Sequence, residues 1–112
     1  MKRMEAIIRP EKVNDIRKAL DAVGYPGVTV EEVEGHGKQK GVTRQWRGES
    51  YTVDLLPKVK FEIAASDKDA ERIISAISSA SKTGAVGDGK IFVTEIKDVV
   101  RIRTGERGDE AI

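Results

Sequence analysis

Two helical periods, each set between β-type runs, predict an α+β chain of the ferredoxin-like class, βαββαβ. That arrangement has a four-stranded antiparallel sheet, both helices on one face and a long loop between the second and third strands. Three observations carry the expectation. Apolar residues recur at spacings of three and four in Val13, Ile16, Leu20 and Val23, and again in Ala70, Ile73, Ile74 and Ile77. They alternate with charge in Val59, Phe61 and Ile63, whereas residues 35–54 follow neither period. At 112 residues the chain fits one domain, 1–112, with no linker dividing it.

The first strand is read in Met4–Ile8, bounded by Arg9-Pro10, because the residue before a proline avoids helical conformation and proline suits the first helical turn. An amphipathic helix follows, with Lys12, Asp15, Arg17 and Asp21 opposite its apolar stripe and Gly24 as its C-terminal stop. Beyond the turn letters Tyr25-Pro26-Gly27, Val28–Glu34 is a second strand whose alternation breaks near Glu32, as a bulge would cause. From 35 to 54, four glycines (35, 37, 41, 48) lie among Lys38, Gln39, Lys40, Arg44, Trp46, Arg47 and Tyr51. This reads as an irregular loop, of a length found in functional or disordered segments. Leu55-Leu56-Pro57 closes it. The third strand sets Val59, Phe61 and Ile63 against Lys58, Lys60 and Glu62, and Ser66 with Asp69 makes a capping-box-like start to a second helix ending near Ser81. The fourth strand is Ile91–Ile96, and beyond it Val100-Arg101-Ile102-Arg103, if extended, puts both arginines on one face. Helices on one face leave the other sheet face to be covered, and a second copy of the chain is the expected cover.

Composition narrows the function classes. Lys and Arg number 20 against 19 Asp and Glu, so there is almost no net field and general nucleic-acid binding gets no support. The chain has no Cys and one His, His36, which argues against disulfides, thiolate metal sites and a His-based zinc or catalytic cluster. No secretory core follows Met1-Lys2-Arg3, and no apolar run nears the roughly 20 residues of a membrane span, so a cytoplasmic location is expected.

The stretch Thr83–Lys90 holds three glycines and a lysine. Glycines permit left-handed conformations and close approach to a ligand, consecutive N–H groups in such a turn can cradle an anion, and Lys90 adds a point charge. Gly84 to Lys90 fits the start of a Walker A motif, but Ile91 stands where that motif needs its Mg2+-binding Ser or Thr. The context differs as well, since a helical pattern precedes the glycines and a β-run follows. A glycine-rich turn without ligand fits the same letters. Arg101 and Arg103 carry forked donors suited to phosphate, and equally suit a charged edge strand.

Together these residues resemble the PII nitrogen-regulatory signal-transduction proteins, over essentially the whole chain and without a gap. Gly37-Lys38-Gln39-Lys40-Gly41, Arg47-Gly48 and Tyr51 match that family's T-loop (35–54 here). Thr83–Val93 matches its B-loop signature (82–90), and Arg101-Ile102-Arg103-Thr104-Gly105 its C-loop (101–109). The resemblance implies a cytoplasmic homotrimer, peripherally membrane-associated when bound to a transporter, that regulates rather than catalyses. Its members bind ATP or ADP between subunits, and 2-oxoglutarate together with Mg2+ and ATP. Their T-loop contacts an ammonium transporter, glutamine synthetase or other nitrogen enzymes.

Carried over by position, Thr29 and Ala64 would lie near the base. Gly37, Lys38 and Gln39 would line the nucleotide, and Gly87, Asp88, Gly89 and Lys90 with Arg101, Ile102 and Arg103 would surround its phosphates. Gln39 would reach the metal, and Lys58 with Gln39, Lys40 and Gly41 would hold 2-oxoglutarate. Trp46 and Arg47 would meet the partner. Tyr51 stands where some members are uridylylated or adenylylated, whereas Glu49 stands where others carry a modified serine, with Ser50 adjacent. A different class, a nucleotide-dependent enzyme or RNA-binding module on the same fold, finds less support. The chain shows no nucleophile and base pair, and Lys90-Ile91-Phe92-Val93 offers one ring where an RNA-binding RNP1 motif needs several.

Overall fold

The computed structural model of the chain describes residues 1–25, 27–36, 42–53 and 55–112, with 42–46 and 50–53 described as backbone. Among the described residues six strands, β1 Lys2–Ile8, β2 Thr29–Gly35, β3 Val42–Trp46, β4 Glu49–Val53, β5 Leu56–Ala65 and β6 Lys90–Glu95, accompany two helices, α1 Val13–Ala22 and α2 Asp67–Ser81. Short 3-10 turns lie at Pro10–Lys12 and Gly108–Ala111. Four strands form an antiparallel sheet in the order β2-β5-β1-β6, the ferredoxin-like arrangement.

Alternation fixes which face is buried. Met4, Ala6 and Ile8 of β1 and Val59, Phe61, Ile63 and Ala65 of β5 point into one core with Ile16 and Leu20 of α1 and Ala70, Ile73 and Ile77 of α2. Burying one such large side chain contributes about 1.5–3 kcal/mol, so this cluster dominates the stability of the fold. The opposite face carries cross-strand rows, Thr29–Glu62–Glu5–Phe92 and Glu31–Lys60–Ile7–Lys90, and Lys60 Nζ lies 3.4 Å from Glu31 Oε2 across one of them. Neither helix covers that face.

Helix α1 ends where Gly24 adopts φ +83°. The Gly24 N–H donates to Asp21 O and the Tyr25 N–H to Leu20 O, the paired bonds of a Schellman stop, and Tyr25 packs against the core that holds Leu20. Helix α2 begins at Ser66, but its hydroxyl donates to Asp69 Oδ2 at 2.9 Å instead of receiving the Asp69 N–H, which goes to Ser66 O. The expected capping box is therefore replaced by a side-chain pair. Asp69 is drawn away because its carboxylate also accepts from the Tyr25 hydroxyl and, at 3.1 Å, from Arg72 Nη2.

Three sequence expectations change. Pairing of β2 with β5 runs unbroken from Thr29↔Glu62 to Gly35↔Leu56, so no bulge interrupts it near Glu32. The broken alternation reflects an edge strand exposed along most of its length. Within 35–54, expected to be irregular, β3 and β4 pair in register from Val42↔Val53 to Trp46↔Glu49 and form a separate two-stranded sheet. Its two-residue turn places Arg47 at φ +51° and Gly48 at φ +80°, the type I′ geometry that suits the twist of a hairpin. Arg101–Thr104 is a turn and not an extended run: the Gly105 N–H donates to Arg101 O, and Val100 bridges Arg107. Arg101 and Arg103 consequently do not share a strand face. The molecule measures 59 × 27 × 21 Å, long for 112 residues.

Candidate functional site

The candidate site forms where the 82–90 loop meets the C-terminal end of β1. Gly84, Gly87 and Gly89 all have positive φ, and a Cβ on Gly89 would sit 1.7 Å from Ile7 O, so this contact with β1 admits only glycine. Asp88 organises the loop from within. Its Oδ2 accepts the N–H groups of Thr83 at 2.8 Å and Gly84 at 2.9 Å. Its Oδ1 accepts the Thr83 hydroxyl and, at 3.1 Å, Arg9 Nε. These hydrogen bonds, that from the Thr83 hydroxyl first, hold the Asp88 carboxyl far below the usual carboxylate range. Arg9, three-quarters or more buried, also donates through Nη2 to Val86 O at 2.7 Å.

The first two amides of the glycine turn therefore already hold an anion, the chain's own Asp88. The other side of the loop, Gly87 to Lys90, opens on a cleft of about 500 Å³ lined by Ile7, His36, Leu56, Lys58 and Phe92. Volumes of roughly 300–1,000 Å³ are usual for small-molecule sites. Lys58 spans the cleft and donates from Nζ to Gly87 O at 2.9 Å. Burial, and next the nearby Arg9 charge, push the Lys58 ammonium below its ordinary value. A partly desolvated lysine of this kind gains from an anionic partner. The Lys90 backbone pairs with Ile7 while its side chain is exposed.

The other predicted residues lie elsewhere. Thr29 and Ala64, on β2 and β5, line a separate, larger cavity of about 950 Å³ with Arg3, Glu62 and the C-terminal Ile112. Arg101, Ile102 and Arg103 line neither cavity: Arg101 Nη1 lies 3.2 Å from Glu106 Oε1, and Ile102 is 99% exposed. One chain thus brings Gly87, Asp88, Gly89 and Lys90 to Lys58, brings Thr29 to Ala64, and leaves the arginine turn apart from both. Gly37, Lys38, Gln39, Lys40 and Gly41 lie outside the described residues. Trp46, Ser50 and Tyr51 are placed as hairpin backbone, and Arg47 sits exposed at the hairpin turn.

Sequence reasoning missed Arg9 and gave Asp88 to the ligand. The usual turn signal is an Asp that bonds the backbone two residues on, whereas Asp88 accepts from N–H groups four and five positions before it, so its role carried no such signal. Arg9 had no local signal, since 79 positions separate it from Asp88. As for metal, no group of three or more His, Cys, Asp or Glu side chains able to hold an ion occurs among the described residues. Asp88 is a poor candidate because its lone pairs are taken by Thr83, Gly84 and Arg9.

Comparison with known proteins agrees along the whole chain. A family model described as nitrogen regulatory protein P-II matches residues 1–106. The chain is 53% identical over 112 residues to the nitrogen regulatory protein P-II of Rhizobium meliloti (strain 1021), covering all of both chains. It is 54% identical to that of Azospirillum brasilense, again over all of both. It is also 54% identical to nitrogen regulatory protein P-II 1 of Methanothermobacter thermautotrophicus, over all of this chain and 97% of the relative.

Proposed function

Because the chain belongs to the P-II family of nitrogen regulatory proteins, signalling proteins and not enzymes, we propose that it is a trimeric sensor of ATP, ADP and 2-oxoglutarate. Phosphates of the nucleotide sit at Gly87–Lys90, the base lies near Thr29 and Ala64, and Arg101 and Arg103 close over the phosphates. The observation that carries this reading is the division of these residues among three places in a single chain, with the sheet face between them covered by neither helix. Copies meeting across that face unite them, which gives the nucleotide a cleft between subunits.

Lys58 supplies the charge for a carboxylate of 2-oxoglutarate, beside Gln39, Lys40 and Gly41. Mg2+, when bound, neutralises phosphate charge and orients the oxygens. With the Asp88 oxygens taken by Thr83, Gly84 and Arg9, the residue that would hold the ion is Gln39, together with the phosphates and 2-oxoglutarate. The hairpin turn at Arg47 and Trp46 is the output, directed at an ammonium transporter or at glutamine synthetase or other nitrogen enzymes, with Tyr51 on the same hairpin a position for modification. Among the described residues no helix is long and apolar enough to cross a membrane.

Titration calorimetry with ATP, ADP and 2-oxoglutarate, singly and combined with Mg2+, tests the reading. Linkage requires 2-oxoglutarate to bind weakly without Mg-ATP and to tighten Mg-ATP by the factor by which it is itself tightened. The Gln39→Ala variant is expected to lose this coupling and keep its ADP affinity. Equal 2-oxoglutarate affinity with and without nucleotide would reject the reading.

A further inference from the structure

We propose that Arg9 is a positioning residue for nucleotide phosphates, acting only through Asp88 and the backbone of the 82–90 loop. The inference rests on the reading that phosphates bind at Gly87–Lys90. A carboxylate inside a phosphate-binding loop is an oddity, because it repels the ligand that the loop is shaped to hold. Here Asp88 has a structural task, tying the N–H groups of Thr83 and Gly84 at 2.8 and 2.9 Å so that the loop turns back toward β1. Its charge must therefore be cancelled in place.

Arg9 does this from the end of β1. The guanidinium reaches Asp88 Oδ1 with Nε at 3.1 Å and Val86 O with Nη2 at 2.7 Å, so one side chain holds the loop on both sides of Gly87. Little of Arg9 or Asp88 is exposed, with side-chain accessibilities of 14% and 24%, which protects the pair from screening better than a surface ion pair. A planar fork can satisfy a carboxylate and a carbonyl at fixed separation, and a lysine cannot. Gly89 against Ile7 O fixes the far end of the same loop to the same strand. In this arrangement Arg9 gives the loop its shape and sets a cation against the Asp88 carboxylate.

The test is calorimetry of ATP, ADP and adenosine on the wild-type protein, Arg9→Gln, Arg9→Lys, Asp88→Asn and the double variant Arg9→Gln/Asp88→Asn. Loss of a charge-assisted pair predicts that Arg9→Gln weakens ATP and ADP by about tenfold or more and leaves adenosine within about twofold, since only the phosphates feel Asp88. Arg9→Lys is expected to fall between, restoring charge but not the fork, and carries the test if Arg9→Gln does not fold. The double variant is expected to bind ATP about threefold or more tightly than Arg9→Gln alone, because its loop no longer presents an uncompensated carboxylate. Unchanged ATP affinity in Arg9→Gln, an equal loss for adenosine, or a double variant weaker than Arg9→Gln would overturn the inference. If the wild-type protein binds neither nucleotide, the functional reading fails and the staple is judged by hydrogen exchange. Arg9→Gln should then speed exchange at the Thr83 and Gly84 amides by about tenfold or more, and unchanged exchange would overturn it.

Discussion

Gly84 and Gly89 occupy one loop and share a left-handed backbone, at φ +88° and +93°, yet alanine should cost very different amounts at the two positions. Nothing lies within 4 Å of a Cβ placed on Gly84, so Gly84→Ala meets only the left-handed penalty of about 1–2 kcal/mol. A Cβ on Gly89 would lie 1.7 Å from Ile7 O and 2.8 Å from Ile7 C, backbone atoms in the middle of a sheet, so the loop must detach from β1. Gly89→Ala should therefore destabilise by about 3 kcal/mol or more, the range of outright steric conflict, measured as the shift in urea midpoint. Equal shifts in the two variants would show that the loop does not lie against β1 as described. At this scale the sequence displayed the glycines, Lys90 and a phosphate-cradle chemistry, because those depend on residue type within a short span. It could not display that Asp88 fills two amides of the cradle, because that depends on how the loop folds back on itself, or that Arg9 holds it, because that depends on which strand end the fold sets beside the loop.

One element exposed to pH is the corner where the turn after α1 meets the start of α2. The Tyr25 hydroxyl first, then Ser66 and then Arg72 stabilise the Asp69 carboxylate and hold its carboxyl below the usual range, while burial first and Asp69 second push the Tyr25 phenol up. A depressed folded pKa means that the contribution is complete above the unfolded value of about 3.9 and is lost as pH falls through the folded one. Asp69→Asn should accordingly be less stable than wild type at pH 6, with the gap narrowing as pH falls below about 4. Denaturation midpoints across pH 3–6 check this, and a gap constant with pH would remove Asp69 ionisation from the account. The elements themselves were legible wherever one period met one buried face: α1, α2, β1 and β5 all hold apolar residues at the spacing that the core demands, whereas β6 sends only Ile91 against it. β3 and β4 were not, because they pair only with each other in a sheet apart from the one whose core set the other periods. The arginine turn was misread for the converse reason. Val100 to Arg103 alternates in sequence, but the bond from the Gly105 N–H to Arg101 O closes it into a turn.

For the whole molecule, the decisive feature is that the proposed nucleotide residues of one chain do not converge. Lys90 stands at the cleft beside Lys58, whereas Arg101 lies on a turn that lines neither that cleft nor the cavity of Thr29 and Ala64. Phe92 is 52% exposed on the uncovered sheet face, and Ile102 is almost fully exposed, as expected of surfaces that a second copy covers. Light scattering should therefore return about three times the 12.3 kDa chain mass, and a monomer at micromolar concentration would contradict the assembly. A sharper test asks whether one site draws on two chains. Lys90→Ala and Arg101→Ala should each weaken ATP by about tenfold or more, since each removes a charged phosphate contact. In trimers refolded from an equal mixture of the two variants, random placement joins an intact Lys90 to an intact Arg101 of the neighbour at about one interface in four. Calorimetry on that mixture should show about a quarter of the sites at wild-type affinity, although neither parent has any. A site contained within one chain predicts no recovery at any mixing ratio, because every chain then carries a defect of its own.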